Sequence, residues 1–314
     1  MKCLVTGAAG FIGKSIVDRL SKEGYSVKAL LHKSEPKKIG KNVEYITGDI
    51  TDYDSIDSLL NDVETVIHCA AYVKDYGKKE PFYKINVEGT KNLIKACEKY
   101  RVKKFIFLSH IRYESEKKTG YYSETKYIAE QYLLKKFSET SFPVVIIRPG
   151  NVYGPGATTW VLRPLKSIQK NRISLIDHGK GIFLHTYIDN LVDAIFLAIS
   201  KKEAIGHIID ITDGDNNTTW GEYLDFLSEI VGKSKIKRNI SKNTALLIGK
   251  FMMLLNKIFK MEPWVTPMAV KIFTNENKVS IDEAKLLLDY EPKIDLKKGL
   301  EEVKNWLKDE GYIE

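Results

Sequence analysis

A tyrosine and a lysine four residues apart, Tyr122 and Lys126, form the pair in this sequence best suited to proton transfer. In a helix, residues i and i+4 lie on one face, so the phenol and the ammonium can point at the same bound molecule. A nearby ammonium stabilises the phenolate and lowers the pKa of the tyrosine from about 10. Tyr122 is therefore a candidate acid/base at a substrate oxygen, although the same spacing is common by chance on protein surfaces.

The first thirteen residues contain a second signal, the spacing Gly-x-x-Gly-x-x-Gly between an apolar run and a helical pattern. In this context Gly7 permits a tight turn, Gly10 admits backbone amides close to a pyrophosphate, and Gly13 lets the helix pack against the strand. The helix N-terminus then directs N–H donors and a positive dipole end at the phosphates. The segment predicts a dinucleotide site; the plainer alternative is a glycine turn that binds nothing.

The elements that must position these residues alternate along the first half of the chain. We expect strands at 3–5, 27–31, 43–45, 66–69, 105–108 and 144–147. We expect helices at about 14–22, 55–61, 88–100 and 122–137. This alternation predicts an α/β fold, a doubly wound parallel Rossmann sheet with helices on both faces.

Beyond residue 150 the alternation breaks, because prolines and glycines mark loops. A helix at about 189–200 and a strand at about 206–211 then predict a return to the sheet. We predict a dinucleotide-binding domain from 1–150 plus about 176–214. A smaller, mainly helical C-terminal substrate lobe is expected from about 151–175 and 215–314.

The end of the second predicted strand bears on the cofactor. NAD sites usually place an acidic residue there for the ribose hydroxyls, but the corresponding position is Leu31, followed by His32 and Lys33, with Lys37 and Lys38 shortly after. Cations attract a 2′-phosphate, so we favour NADP over NAD as cofactor. The alternative is that these lysines simply face solvent.

The end of the third predicted strand supplies Asp49 and Ile50. A carboxylate at that strand end can accept from the adenine amino group, and the isoleucine can cover the ring. Both are therefore candidate cofactor contacts.

Charge and composition bear on the class of ligand, on metal binding and on the cellular location. The net charge of +8 is spread along the chain, which favours an anionic cofactor and a lysine-rich surface over nucleic acid. Cys3, Cys69 and Cys97 lack metal-ligand spacing, so we expect reduced thiols and no metal site. The first strand leaves no room for a signal peptide, and no apolar run reaches the ~20 residues of a membrane span, so we predict a cytoplasmic protein.

Seven motifs in order resemble those of the extended short-chain dehydrogenase/reductase family, of the NAD-dependent epimerase/dehydratase type. They are Thr6-Gly-Ala-Ala-Gly-Phe-Ile-Gly13, Gly48-Asp-Ile50, Ile67-His-Cys-Ala-Ala71, Asn86-Val-Glu-Gly-Thr90, Tyr122-x-x-x-Lys126, Arg148-Pro-Gly-Asn-Val-Tyr-Gly-Pro155 and His185-Thr-Tyr-Ile-Asp189. The resemblance covers nearly the whole chain. It implies a bound NAD or NADP, a catalytic Tyr122 and Lys126, and a homodimer formed through a four-helix interface.

The cofactor contacts that we predict from the motifs and the resemblance together are Gly7, Ala9, Gly10, Phe11, Ile12, Gly13, His32, Lys33, Asp49, Ile50, Ala70, Ala71, Asn86, Tyr122, Lys126 and Pro149. Asn151 and Tyr72 are the predicted substrate contacts.

One departure from the family lies beside the predicted catalytic helix. The strand leading to the site usually ends Ser-Ser, and the second serine holds the substrate oxygen, but here it ends Ser109-His110. Ungapped alignment puts His110 in the serine's place; Ser109 takes it only if the strand end shifts by one residue, which turns its side chain to the other face. Both remain candidates, and a reduced or lost activity is a third outcome.

A second departure concerns the substrate. Relatives that act on nucleotide sugars commonly carry an arginine that grips the diphosphate, where this chain has Ile182. Lys180 is a possible substitute, and Asn151 favours a sugar nucleotide, because an asparagine there can bind its phosphate. Other stretches resemble dihydroflavonol-reductase and 3β-hydroxysteroid-dehydrogenase relatives, which implies an apolar or cyclic substrate.

The segment 245–260 is mostly apolar, with a polar face that includes three lysines. We favour a helix that packs its apolar face in the substrate lobe. The alternative is a basic amphipathic helix that rests on an anionic membrane surface.

Three functions follow from these features. The preferred one is an NAD(P)-dependent oxidoreductase that interconverts a secondary alcohol and a ketone on an apolar or cyclic small molecule, with Tyr122 as acid/base. The second is a nucleotide-sugar 4-epimerase or dehydratase with tightly bound NAD. The third is a non-catalytic NAD(P)-binding subunit.

Overall fold

The computed structural model describes residues 1–33, 40–112 and 120–313. Its strands are β1 (Lys2–Thr6), β2 (Ser26–Leu31), β3 (Val43–Thr47), β4 (Thr65–His68), β5 (Lys104–Leu108), β6 (Val144–Pro149), β7 (Asn151–Tyr153), β8 (Leu175–Ile176), β9 (His185–Tyr187), β10 (Ile208–Ile211) and β11 (Asn239–Ile240). Its α-helices are α1 (Phe11–Lys22), α2 (Tyr53–Asp57), α3 (Lys79–Phe82), α4 (Gly89–Lys99), α5 (Tyr121–Thr140), α6 (Arg163–Gln169), α7 (Ile188–Ser200), α8 (Trp220–Ile230), α9 (Lys242–Phe259), α10 (Pro267–Phe273), α11 (Asp282–Leu288) and α12 (Leu296–Asp309).

The central sheet has the order β10-β6-β5-β4-β1-β2-β3 within the described ranges, and its neighbouring strands are parallel. Val5 of β1, for example, lies opposite Ala29 of β2 on one side and Ile67 of β4 on the other. The strand order reverses at the boundary between β1 and β4, and sheets of this kind bind ligands beyond the carboxyl ends of the strands at that boundary. The predicted Rossmann fold is confirmed.

Both faces of the sheet are buried. Because successive side chains of a strand point to opposite faces, Leu4 joins a core cluster with Leu93 of α4 and Leu133 of α5. Its neighbour Val5 joins the other cluster, with Ile16 of α1. This explains why the strands read as short apolar runs without polar alternation.

Two of the predicted helix boundaries are wrong. The first helix begins at Phe11 instead of residue 14, because Gly10 already takes the N-cap conformation. The helix predicted at 55–61 ends at Asp57 and continues only as a 3₁₀ turn, Ser58–Leu60.

The helix expected at 88–100 is extended at its start. A π-helical segment, Tyr83–Glu88, joins α3 to α4. Such segments often occur at functional sites.

Four short strands outside the central sheet were not predicted, because two or three residues are too few to show a periodic pattern. β7 pairs with β9, and β8 pairs with β11. The second pair links residues 175–176 to the segment after residue 214. The predicted domain boundaries themselves stay a prediction.

An aromatic cluster joins α8 to α10 and to the segment that precedes β9. The ring of Phe183 stacks on Tyr223 with a centroid separation of 3.8 Å, and Trp220 lies 4.5 Å from Phe183 and 4.2 Å from Phe273 of α10. Trp220, Tyr223 and Phe183 are fully buried. The C-terminal helices are therefore packed firmly against the segment that precedes β9.

Candidate active site

The glycine-rich turn after β1 has the geometry expected from its spacing. Gly7 has a φ of 67°, in the left-handed region that favours glycine. A Cβ added at Gly13 would lie 2.2 Å from the Gly7 carbonyl oxygen, so α1 can approach the turn this closely only through a glycine. A Cβ at Gly10 would lie 3.2 Å from the same oxygen and would otherwise project into open space among the described residues.

The N-terminus of α1 is open to an anion. Gly10 is its N-cap and provides no side-chain hydrogen bond to the first turn. The first N–H groups of a helix have no partners inside the helix, and together with the dipole they attract negative charge. Ala9 and Gly10 are exposed, and Phe11 and Ile12 are half-buried beside them. These residues fit the pyrophosphate of a dinucleotide.

At the ends of β2 and β3, the structure brings His32 and Asp49 together. His32 Nε2 lies 3.4 Å from Asp49 Oδ2. Partial burial raises the pKa of the Asp49 carboxyl, but hydrogen bonds from Thr51 and the charge of His32 outweigh this effect, and the pKa lies below its usual value. Leu31 ends β2, so no carboxylate occupies the last position of that strand. Lys33 is exposed.

Ile50, Lys37 and Lys38 are the other residues that the sequence places near the adenosine end of the cofactor. Ile50 is buried and packs against Gly89, where a Cβ would lie 2.8 Å from its side chain. Its role as a cover for the adenine ring stays a prediction. Lys37 and Lys38 lie outside the described residues.

A directed chain of hydrogen bonds links the loop after β4 to the π-helical segment. The Ala70 N–H donates to Thr6 Oγ1 (3.1 Å), and Thr90 Oγ1 donates to the Asn86 carbonyl oxygen (2.7 Å). Between them, His68 Nδ1 lies 2.7 Å from Thr6 Oγ1 and Nε2 lies 3.0 Å from Thr90 Oγ1. Because the Thr90 proton is already committed, Nε2 must donate and Nδ1 must accept. Burial, with a smaller effect of Lys126, lowers the pKa of His68 well below its usual value, so the ring is neutral.

Asn86 connects this chain of hydrogen bonds to α5, the helix that contains Tyr122 and Lys126. Its Oδ1 accepts from the Tyr72 N–H (2.7 Å), and its Nδ2 donates to the Tyr72 carbonyl (3.2 Å) and to Thr125 Oγ1 (3.0 Å). The loop that contains Ala70, Ala71 and Tyr72 is thereby held against α5. The predicted cofactor residues of this loop and the predicted catalytic helix lie in one place.

Tyr122 and Lys126 lie one helical turn apart in α5, as their spacing predicts. The ring of His110 lies 5.0 Å from the Tyr122 ring, centroid to centroid, and His110 Nε2 is 2.6 Å from Ser123 Oγ. Lys126 is buried, with its Nζ 3.9 Å from the centroid of the Phe107 ring. A phenol, an imidazole and an amine thus converge at the carboxyl end of β5.

The environment of Lys126 makes its ammonium easy to deprotonate. Burial lowers the pKa of Lys126 to about 7, while the negative charge of Glu130 opposes the shift. Glu130 lies one further turn along α5. Groups whose protonation changes near neutral pH are suited to acid/base chemistry.

Ser109 lies on the other side of the strand end. It is buried, and its Oγ makes no well-formed hydrogen bond to the described residues, but it lies near the Glu130 carboxyl and makes a minor contribution to the lowered pKa of that group. Burial raises that pKa, but the bidentate pair with Arg148 (2.8 and 2.5 Å) outweighs it, with Arg112 3.6 Å away. Of the two alternatives, the structure places His110 beside Tyr122 and Ser109 beside the buried ion pair.

The predicted substrate contacts and Pro149 surround this end of the sheet. Asn151 is buried, and its Nδ2 has no hydrogen-bond partner among the described residues. The Pro149 carbonyl accepts from the Ile111 N–H at 3.0 Å. Tyr72 packs edge-on against Phe82 at 4.8 Å between ring centroids. A buried amide donor without a partner is costly in an apolar interior, so Asn151 is a natural contact for a polar ligand atom.

Ile182 occupies an apolar cluster instead of a phosphate site. It is buried with Ile111 and Leu184, and Ile272 and Val279 pack against the cluster. Lys180, considered above as a substitute cation, is exposed.

Sequence reasoning missed the roles of His68, Thr90 and Glu130. No local signal in the sequence marked His68, because its place opposite Thr6 depends on the register between β1 and β4. Glu130 continues the i, i+4 series of Tyr122 and Lys126, so its place on the same helix face was predictable from the spacing.

The described residues contain no group of three or more His, Cys, Asp or Glu side chains that could hold a metal ion. None of the helices in these ranges has both the length and the apolarity to cross a bilayer. Cys3, Cys69 and Cys97 are free thiols.

With this geometry in place, comparison with known proteins defines the class. The model of the NAD dependent epimerase/dehydratase family matches residues 3–212. The chain belongs to this family, whose members include NAD-dependent dehydrogenases, reductases and epimerases.

Curated relatives resemble the chain over nearly its whole length. It is 26% identical to the mouse (Mus musculus) sterol-4-alpha-carboxylate 3-dehydrogenase, decarboxylating, over 96% of this chain and 89% of that protein. It is 27% identical to the 2-alkyl-3-oxoalkanoate reductase of Stenotrophomonas maltophilia, over 97% of this chain and 98% of that protein.

A solved structure agrees with the fold and the cofactor class. The UDP-glucuronic acid 4-epimerase of Bacillus cereus in complex with NAD is 26% identical, with a TM-score of 0.76, and 98% of this chain aligns with 99% of that chain. The chain is thus an oxidoreductase of the extended short-chain dehydrogenase/reductase type.

Proposed function

We propose that this protein interconverts a secondary alcohol and a ketone on an apolar or cyclic small molecule. The observation that carries the proposal is the buried aliphatic cluster of Ile111, Ile182 and Leu184. It occupies the position where the resemblance expects a diphosphate-binding arginine in nucleotide-sugar enzymes. The names of a sterol dehydrogenase and an alkyl-oxoalkanoate reductase among the relatives support the same substrate class.

The side chains at the end of β5 divide the proton chemistry between them. The cofactor, when bound, supplies or removes hydride at the substrate carbon. Tyr122 gives a proton to the substrate oxygen in reduction and takes it back in oxidation. Lys126, in its protonated form, stabilises the phenolate of Tyr122. His110 donates a hydrogen bond to the same substrate oxygen in place of a serine.

A side-by-side pair of variants tests this function. We expect NAD(P)H consumption with a panel of cyclic and long-chain ketones, and Tyr122→Phe should reduce it by about 10²-fold or more, because general acid catalysis is worth that much. Tyr121→Phe is the matched control, since Tyr121 precedes it in α5 and is 39% exposed. Equal activity of both variants would refute the role of Tyr122.

We further propose NADP as the preferred cofactor. Support comes from the absence of a carboxylate at Leu31 and from His32 and Lys33 after it. Asp49 partly offsets this charge through its contact with His32. His32→Asp should therefore weaken NADPH binding relative to NADH by at least ten-fold in fluorescence titrations. An unchanged ratio would remove His32 from cofactor selection.

A nucleotide-sugar 4-epimerase or dehydratase is the second candidate, and the buried amide of Asn151 favours it. An epimerase of this type regenerates its own cofactor and keeps it bound. Denaturing the purified protein therefore separates the two proposals. Stoichiometric release of NAD favours the epimerase, whereas a freely exchanging NADP favours the dehydrogenase.

A non-catalytic NAD(P)-binding subunit is the third candidate, and it is motivated by histidine at position 110. This proposal fails if any substrate gives turnover that Tyr122→Phe abolishes.

We also propose a cytoplasmic homodimer formed through α4 and α5. Free thiols at Cys3, Cys69 and Cys97 suit a reducing compartment. Tyr127 of α5 is exposed, and the Arg112 guanidinium lies 4.3 Å from the centroid of its ring, which offers a flat surface to a partner. Light scattering should give about twice the monomer mass, and Tyr127→Glu should lower it.

A further inference from the structure

Helix α9 packs on the rest of the protein along one face, which includes an alanine and a glycine. Ala245, Gly249 and Met252 are its buried positions. A Cβ added at Gly249 would lie 3.0 Å from the Pro267 backbone nitrogen, so α9 packs closely on the start of α10. Leu246 and Ile248, which are half-buried, pack against the same cluster as Ala245.

Four large apolar side chains of α9 lie on its outer side. Leu247 is 70% exposed, Phe251 57%, Leu254 51% and Ile258 58%. At about 100° per residue, these four positions fall within an arc of about 60°. Phe259, Met261 and Trp264 extend the surface past the end of the helix and are 66%, 50% and 69% exposed. We call these seven residues the α9 apolar surface.

The packing that we favoured from the sequence thus accounts for only part of the helix. A contiguous exposed apolar surface of this kind marks an interaction site.

Positive charge borders the α9 apolar surface. Lys250 and Lys257 lie about 70–90° from its centre on the same side of the helix, and Lys260 follows the helix; all three are exposed. Residues 241–264 contain four lysines and a single acidic residue, Glu262. An apolar stripe with a cationic border is the pattern of helices that lie in the interface of an anionic bilayer.

The α9 apolar surface lies near the active-site loops. Glu262 Oε1 accepts a hydrogen bond from the Tyr76 hydroxyl at 3.4 Å, and Tyr76 belongs to the loop that follows Ala71. Met268 of α10 would lie 2.9 Å from a Cβ added at Gly120, directly before α5. A surface that receives α9 would therefore lie close to the loop after Ala71 and to the start of α5.

We propose that the α9 apolar surface docks on an anionic phospholipid bilayer, from which the protein takes an apolar substrate. The source of the substrate rests on the function proposed above; the docking itself does not. A second copy of this chain is a poorer occupant. In a two-fold contact the patch would meet itself, so the lysines that border it would find only one acidic residue, Glu262, in the same segment of the other copy.

Vesicle binding of the purified full chain tests the docking. We expect co-sedimentation with vesicles of phosphatidylcholine and phosphatidylglycerol, and at least ten-fold weaker binding to phosphatidylcholine alone. Trp264 fluorescence should shift to the blue on binding, and Trp264→Phe should lose the shift, because Trp160, Trp220 and Trp306 are half-buried or buried.

Surface variants with matched controls make the test specific. Phe251→Ser with Ile258→Ser should weaken vesicle binding at least ten-fold, whereas Leu286→Ser, at an 80% exposed leucine of α11, should not. Lys250→Glu with Lys257→Glu should abolish the preference for phosphatidylglycerol, and Lys297→Glu with Lys304→Glu on α12 should preserve it.

The outcomes separate the docking from the enzyme function. Activity on a water-soluble ketone should stay unchanged in the α9 variants, so loss of vesicle binding with normal turnover supports the docking surface. If wild type does not bind anionic vesicles, the proposal is overturned, whatever the activity. If Phe251→Ser with Ile258→Ser instead converts a dimer to a monomer, the surface is an interface between copies and the proposal is equally overturned.

Discussion

The imidazole of His110 lies against the phenol ring of Tyr122, with 5.0 Å between ring centroids. Its neighbour Ser109 is turned to the opposite side, toward the buried carboxylate of Glu130. The structure therefore brings the imidazole of His110, and not the hydroxyl of Ser109, beside the Tyr122 ring.

Replacement of His110 by alanine should lower kcat/KM by about 10²-fold, since loss of one hydrogen-bond donor to a developing oxyanion costs that much. His110→Ser should stay within about ten-fold of wild type, because the hydroxyl is also a donor. Steady-state kinetics on a shared ketone measures both. Ser109→Ala serves as control and should change kcat/KM less than three-fold; the reverse ranking would exchange the two roles.

Loss of a proton from Lys126 should limit reduction at alkaline pH. Burial lowers the pKa of this lysine to about 7, and only the protonated form stabilises the phenolate. In reduction, kcat/KM for the reduced cofactor reports the free enzyme and should fall as pH rises above about 7. A profile that is flat to pH 9 would show that the charge of Lys126 is not required.

The same lysine should make stability depend on pH in a predictable direction. Between the folded pKa of about 7 and the model-peptide value of 10.5, the unfolded chain binds a proton that the folded chain does not. The free energy of unfolding therefore rises with pH across this window. Lys126→Met removes this contribution, so its stability relative to wild type should be greater at pH 6 than at pH 9, by about 1–3 kcal/mol. Urea unfolding at both pH values measures the difference, and an equal difference at both would contradict the buried charge.

The hydroxyl of Thr6 should support both folding and cofactor binding. Thr6→Val keeps the shape but leaves the Ala70 N–H and His68 Nδ1 without their partner, which should cost about 1–3 kcal/mol. Cofactor affinity should also fall, because the Ala70 loop loses its anchor. Thr65→Val is a suitable control at a buried threonine of the adjacent strand, where the hydroxyl makes only a long contact of 3.7 Å to Met1 Sδ. Equal losses in both variants would mean that the hydrogen-bond chain has no special role.

Buried Asn151 should act on substrate binding more than on the chemical step. Its unpartnered Nδ2 can donate to a polar substrate atom, so Asn151→Ala should raise KM about ten-fold with little change in kcat. Asn151→Leu tests whether the pocket tolerates an apolar side chain of similar size. A fall in kcat alone would place the residue nearer the reacting atoms.

Local spacing determined much of this protein from the sequence alone. Three glycines between a strand and a helix specify a tight turn whatever the rest of the chain does, and Tyr122 and Lys126 must share a helix face. Short apolar runs separated by helical patterns were enough to predict the parallel sheet. Strands that are buried on both faces are apolar along nearly their whole length, without polar alternation.

Only the tertiary structure decided which side chains meet across elements. The strand register places His68 between Thr6 and Thr90. At the end of β5, the backbone directs His110 toward Tyr122 and Ser109 toward Glu130. With Gly249 packed closely on α10, Leu247, Phe251, Leu254 and Ile258 lie on the outside of α9. These outcomes depend on contacts between residues far apart in the chain, and periodicity within one segment cannot specify them.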